Sequence, residues 1–206
     1  SGLNSLNSID GYLYISGNSS LASLSGLDGL ISIGGSLNIV FNSALMDMTG
    51  LSSLNILNGD LILNYNNSMT SPNGLSSLTT IGGSLLIDDN SLLTSLSGLN
   101  SISSIGGDLS ISNNPLLTSI MQLSGITSMD GILYINYNSS LQSLSGLENI
   151  NYLTITDLVI QESVMLSICD VQSICDYLDI STNPATISGN ATGCATRMEV
   201  EDECGN

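Results

Sequence analysis

The chain is almost without positive charge. It has one Lys or Arg against 18 Asp or Glu and no histidine, a formal net charge of −17 over 206 residues. Nothing in it can neutralise a run of phosphates, which argues against nucleic acid as a partner and against anionic membrane surfaces. Tryptophan is absent as well. No apolar run approaches the roughly 18 residues of a membrane-spanning helix, so no membrane insertion is expected. No basic segment followed by an apolar one opens the chain, so any signal peptide is expected to be gone already. A chain this acidic would ordinarily be disordered. Here only 9% of residues are charged and 42% are hydrophobic. That aliphatic content is enough to bury a core.

What fills the chain instead is a repeat. The stretch Gly83-Ser84-Leu85-Leu86-Ile87-Asp88-Asp89-Asn90 reads G-x-L-x-I-x-x-N and recurs without insertion. Its asparagine falls at Asn18, Asn42, Asn66, Asn90, Asn114 and Asn138, each 24 residues after the last. With position 1 at Gly2, Gly26, Gly50, Gly74, Gly98, Gln122 and Gly146, position 2 is Leu from Leu3 to Leu147. Positions 5, 8, 12, 14 and 20 are also aliphatic. The L-x-I pair at positions 12 and 14 alternates with period 2, as a half-buried strand does. The other aliphatic positions recur every three residues, too briefly for a helix. Each unit therefore reads as a coil with three short, nearly straight sides that share one interior. Stacked at about 4.8 Å, some seven coils make a rod of about 34 Å. No coil can bury its apolar edge alone, so stacking must create the core.

Two polar positions organise each coil. Position 10 is glycine, preceded by Asp, Asn or Gly, and is expected to supply the positive φ of a tight corner. Position 17 is the asparagine. Turned inward, it can satisfy backbone groups of its own coil and of its neighbours where the chain leaves strand geometry. The frame breaks in the seventh repeat, where Ile155 replaces the corner glycine and the apolar pair slips by one to Leu158 and Ile160.

The chain then divides into a solenoid over 1–163 and a cap over 164–206. Asp170 is expected to N-cap a helix over 171–179. Thr186–Ser188 suggests a last strand, and Arg197–Glu203 a final helical turn. Cys169, Cys175, Cys194 and Cys204 all lie in this tail. An even cluster at one end reads as two disulfides and an oxidising, extracellular compartment. Four cysteines allow three pairings, and a helix through Cys169 and Cys175 would hold those two apart, which favours pairing between the halves. The C-x5-C and C-x9-C spacings do not suit a zinc knuckle.

The core L-x-I-x-x-N-x-x-L resembles the leucine-rich repeat. The whole 24-residue frame is similar to the receptor L-domain variant, and with the cysteine tail to secreted leucine-rich repeat proteins of Bacteroidetes-type bacteria. The resemblance implies an all-β, right-handed β-solenoid with a small disulfide-containing C-terminal cap. It also implies an extracellular binding, adhesive or structural role.

Candidate sites are few. Carboxylates are the only catalytic candidates. Asp60 and Asp108 share position 11 two coils apart, about 10 Å, just beyond the roughly 6.5–9.5 Å of an inverting glycosidase pair. No His, Lys or Arg accompanies them, so no enzymatic activity, cofactor or metal is expected. No D-x-D-x-D-G calcium loop is present either. Tyr14 and Tyr134 at position 13, with Phe41, Tyr65 and Tyr137 at position 16, read as one aromatic outer face suited to a sugar or a partner. Serine recurs at positions 3, 4, 7 and 22, as a solvated surface, a glycan-bearing face or a glycan-binding one. An ice-binding face would require threonine ladders instead. The sequons at Asn18, Asn66 and Asn138 coincide with the inward asparagines. Asn190, read as outside the ladder, is the better glycosylation candidate.

The expected function is a non-enzymatic extracellular structural or adhesive protein. Repeat phase starts at Gly2 with nothing before it to cover the first coil, so either a further segment or a second copy stacked head to tail in a filament is expected to supply the cover. The alternative is a module that recognises a glycan or protein.

Overall fold

The computed structural model describes residues 3–205, so the position-1 reading of Gly2 lies outside the described residues. The chain winds into an all-β solenoid. One long parallel sheet runs its length: β1 (Leu13–Ser16), β2 (Leu37–Val40), β3 (Leu61–Asn64), β4 (Leu85–Asp88), β5 (Leu109–Ser112), β6 (Gly131–Asn136), β7 (Ile155–Gln161) and β8 (Ala185–Ser188). Each strand pairs in parallel with the next, Leu37 on Leu61, Leu61 on Leu85 and Leu85 on Leu109. The register is fixed by the apolar pair, because a one-residue slip would turn both aliphatic side chains to solvent. That is visible at β7, where a shift beside Gly131 restores Leu133 to Leu158 and Ile135 to Ile160. The slip of the seventh repeat is thus absorbed as a bulge.

The sequence suggests three similar sides, and the structure differs. A second parallel sheet consists of two-residue strands from Ser8–Ile9 to Ser104–Ile105. The third side is a column of turns closed within the coil, such as Leu30 N–H to Leu27 O at 2.8 Å and Leu54 N–H to Leu51 O at 2.9 Å. An aliphatic residue every third position matches this turn spacing, so these leucines reach the core from turns and not from a sheet. The interior is a continuous column in which Leu30, Ile33, Leu37, Ile39, Leu45 and Met48 of one coil are all fully buried. Burying such a side chain contributes about 1.5–3 kcal/mol.

The corner glycines act differently from the expectation. None of Gly11, Gly35, Gly59, Gly83, Gly107 and Gly131 has positive φ. They permit close approach: a Cβ on Gly59 would lie 2.6 Å from the backbone of Gly35 and Ser36 in the preceding coil. Positive φ belongs to position 1, at Gly26, Gly74, Gly98 and Gly146, with φ between 104° and 113°. Where position 1 is Gly50 or Gln122, a 3-10 turn over Thr49–Leu51 or Met121–Leu123 replaces that conformation. This explains why glutamine is tolerated in the sixth coil.

The solenoid has eight coils, one more than the repeat count suggests. The eighth is built inside the tail. Helix α1 (Gln172–Leu178) forms one of its sides, and β8 follows it. Asp170 does not cap α1; Val171 occupies that place without a side-chain bond. Helix α2 (Arg197–Glu203) is capped by Thr196, whose hydroxyl accepts from Glu199 N–H at 3.2 Å. Disulfides join Cys169 to Cys194 and Cys175 to Cys204, so both cross between the halves of the tail. The chain's only cation is structural. Arg197 Nε donates to Glu201 at 2.6 Å, and its two terminal nitrogens donate to Asn183 O at 2.9 Å and Leu178 O at 3.0 Å. Behind it the Tyr177 hydroxyl donates to Pro184 O at 2.7 Å, and burial raises its pKa above the ordinary range.

Candidate functional site

The asparagines at position 17 form an uninterrupted hydrogen-bond ladder. Each side-chain oxygen accepts from the backbone N–H of the asparagine one coil earlier: Asn42 from Asn18, Asn66 from Asn42, Asn90 from Asn66, Asn114 from Asn90 and Asn138 from Asn114, at 3.0–3.2 Å. From Asn42 to Asn138 each amide nitrogen donates back to a strand carbonyl of the coil before, as Asn90 does to Leu63 O at 2.7 Å. Asn42, Asn66, Asn90, Asn114 and Asn138 are fully buried, whereas Asn18 is exposed. Ser163 takes the ladder position in the seventh coil, its hydroxyl accepting from Asn138 N–H at 3.1 Å.

Asn190 is the eighth rung, which corrects its reading as a residue outside the ladder. Its side-chain oxygen accepts from Ser163 N–H at 3.0 Å, and its amide nitrogen donates to Ile160 O at 2.8 Å and Cys194 O at 3.0 Å. Both amide hydrogens are engaged, so a glycan on that nitrogen would cost one of these bonds. The interval to Asn190 is 27 residues rather than 24, because α1 lengthens the eighth coil, and a fixed period does not find it.

A second ladder was not read from the sequence. Position 11 alternates Ser36, Asp60, Ser84 and Asp108. Asp60 N–H donates to Ser36 Oγ at 3.0 Å, Ser84 N–H to Asp60 at 2.8 Å, Asp108 N–H to Ser84 Oγ at 3.0 Å, and Ile132 N–H to Asp108 at 2.7 Å. The Asp60 and Asp108 carboxylates thus each accept a backbone N–H of the next coil. The Ser-Asp alternation is the signal that would have shown it. Many serines are similarly engaged, with hydroxyl pairs Ser95–Ser97 and Ser143–Ser145 at 2.8 Å on the corners.

The aromatic residues fall in two columns. Tyr14 and Tyr134 lie on the long sheet, in the first and sixth coils. Tyr134 is half-buried and its hydroxyl accepts from Asn136 at 2.7 Å. Position 16 is a separate row, just beyond the strand and just before the ladder. Its backbone is the most unusual in the molecule. Phe41, Tyr65, Asp89, Asn113, Tyr137 and Glu162 all have φ between 52° and 58°. The left-handed region costs an ordinary L-residue about 1–2 kcal/mol, and only glycine, with Asn and Asp to a lesser degree, enters it readily. Gly17 and Gly189 occupy the same corner at the two ends with φ of 70° and 71°. Glycine therefore fits the corner, yet six consecutive coils carry a side chain there. The glycine at one end and Asp and Asn in the middle of this column are the sequence signals of the strained turn.

These side chains stand outward on a ridge. Phe41 and Tyr65 stack with ring centroids 4.5 Å apart and planes 9° from parallel, as the coil spacing dictates. Phe41 is 54% exposed, Tyr65 38% and Tyr137 52%, so the rings meet solvent and are not core. The Asp89 carboxylate, as hydrogen-bond acceptor and as neighbouring charge, holds the Tyr65 phenol above its ordinary pKa. Asn113 is oriented by its amide donating to Asp88 at 2.9 Å. Between Tyr65 and Tyr137 lies an open groove of about 330 Å³, lined also by Asn67, Asp89, Ser91, Asn113 and Pro115. Among the described residues no cluster of His, Cys, Asp and Glu is arranged to hold a metal ion.

The fold defines the class, an all-β parallel β-solenoid with coils of about 24 residues and two disulfides near its C-terminus. No protein-family model, no curated protein and no solved structure matches the chain.

Proposed function

We propose that this chain is a non-enzymatic extracellular scaffold that acts by presenting surface, as an adhesive or structural module. One observation carries the reading. Asp60 and Asp108, which recur at one position of the coil, are engaged in coil-to-coil hydrogen bonds, whereas Phe41, Tyr65 and Tyr137 of the strained position-16 row are exposed. A left-handed corner occupied by Phe and Tyr where glycine would fit indicates side chains kept for contact. Two disulfides support an oxidising compartment. Among the described residues no helix is long and apolar enough to cross a membrane. The L-x-I-x-x-N-x-x-L frame supports kinship with leucine-rich and L-domain proteins that serve such roles.

Beads coated with the protein test it. They are expected to adhere to cell-surface or extracellular polymers, with adhesion reduced in the Tyr65→Ala, Tyr137→Ala double variant and unchanged in Asp60→Asn. Turnover of a polysaccharide that Asp60→Asn abolishes would overturn the reading in favour of a carboxylate glycosidase. Electron microscopy of the same preparation separates the two modes. Rods longer than one molecule indicate head-to-tail assembly, and single short particles an adhesive module.

A further inference from the structure

We infer that the groove between Tyr65 and Tyr137 is a binding site for a neutral, linear oligosaccharide; this rests on the surface-presenting reading above and names its ligand class. The two rings stand three coils apart, about 14 Å at the strand spacing. Between them the row offers Asp89 and Asn113, and beside it Asn67 and Ser91. A pyranose ring has an apolar C–H face and an equatorial rim of hydroxyls. Exposed aromatic rings accept the first, and a carboxylate with amides and a hydroxyl binds the second.

The geometry is set in advance. Phe41 backs one face of Tyr65 and limits its rotamers, so less freedom is lost on binding. The left-handed corner fixes where each position-16 side chain leaves the backbone. The repeat supplies subsites at a constant rise along one straight line. A chain polymer of similar units can exploit that arrangement, whereas a compact ligand uses only part of it.

Charge narrows the class. The groove holds one carboxylate, and no cation lines it. The molecule carries −17 overall. Uronic acids and sulfated sugars would be repelled. A cationic peptide would be drawn to the molecule at large, but the groove offers it a single acid between two rings. Phe41 acts as a positioning residue, and Tyr65, Asp89, Asn113 and Tyr137 make the contacts.

The test is titration of the whole chain with cello-, manno- and chito-oligosaccharides, alongside an oligogalacturonate and an oligolysine. Saturable binding to at least one neutral oligosaccharide is expected, insensitive to added salt. Tyr65→Ala and Tyr137→Ala should each weaken it about tenfold or more, with the circular dichroism spectrum unchanged. Phe41→Ala should weaken it less. The inference is overturned if no neutral oligosaccharide binds, if binding ignores both tyrosine variants, or if only the oligolysine binds and salt removes it. Should no sugar bind while bead adhesion still requires Tyr137, the ligand class is wrong and the surface reading stands. Loss of both results ends both proposals.

Discussion

Asn90→Ala is expected to destabilise the solenoid by about 3 kcal/mol or more. Two buried backbone groups lose this partner at once, Asn66 N–H, which donates to Asn90 at 3.0 Å, and the carbonyl of Leu63, which accepts from it at 2.7 Å; the half-buried Asp88 carbonyl loses one bond at 3.0 Å and keeps the one from Tyr65 N–H. An unsatisfied buried group costs about 1–3 kcal/mol. Bulk solvent does not reach the site, because Asn66 and Asn90 are fully buried. Asn90→Ser should recover part of the loss. The molecule itself makes that exchange at Ser163, whose hydroxyl accepts from Asn138 N–H. Urea titration gives the overall loss, and amide exchange gives its place. Exchange of the Asn66 amide should accelerate more than that of Asn18, which has the same bond at an exposed end. A neutral Asn90→Ala would mean that the ladder does not hold the coils together.

Gly74→Ala is expected to cost about 4 kcal/mol or more, or to prevent folding, by a different route. Gly74 has φ of +112°, outside the narrow left-handed region that other residues enter. A Cβ there would also fall 2.0 Å from Met48 O and 2.5 Å from Thr49 N. These are backbone atoms of the preceding coil, tied in place by Met48 N–H to Asn73 O at 2.7 Å, and they cannot rotate away as a side chain could. Gly17→Ala is the control. Its φ is +70°, but nothing lies within 4 Å of the added carbon. Its cost is conformational only, about 1 kcal/mol. Equal effects at the two sites in thermal or urea unfolding would show that backbone strain, not coil spacing, governs position 1.

How much of this was legible depends on what repeats. The strand pair and the ladder were visible because Leu, Ile and Asn return at one interval and each has one physical role. The third side was misread because leucine every three residues suits a turn as well as a short strand, and only the local hydrogen bonds decide. The corner glycines answer to a different cause from the positive φ their spacing suggests: Gly59 answers to Gly35 in the preceding coil, a contact no single repeat contains. Asn190 and Ser163 escaped because α1 and the bulge at β7 alter the interval. The position-16 row is the instructive case. Its residue types vary, so as a column it looks like surface. Its shared feature is a backbone angle, which Gly17, Asp89 and Asn113 hint at and Phe41, Tyr65 and Tyr137 conceal.

That row also offers the most direct test of the account, which holds that the ladder keeps the coils together and the strained ridge makes the contacts. Tyr137→Gly should be measured for stability and for adhesion together. Glycine relieves the left-handed corner at φ 52°, so unfolding free energy is predicted to rise by up to about 1 kcal/mol, while adhesion falls. A variant that is less stable, or one that adheres as well as the parent, would contradict the claim that this side chain is kept for contact rather than for the fold.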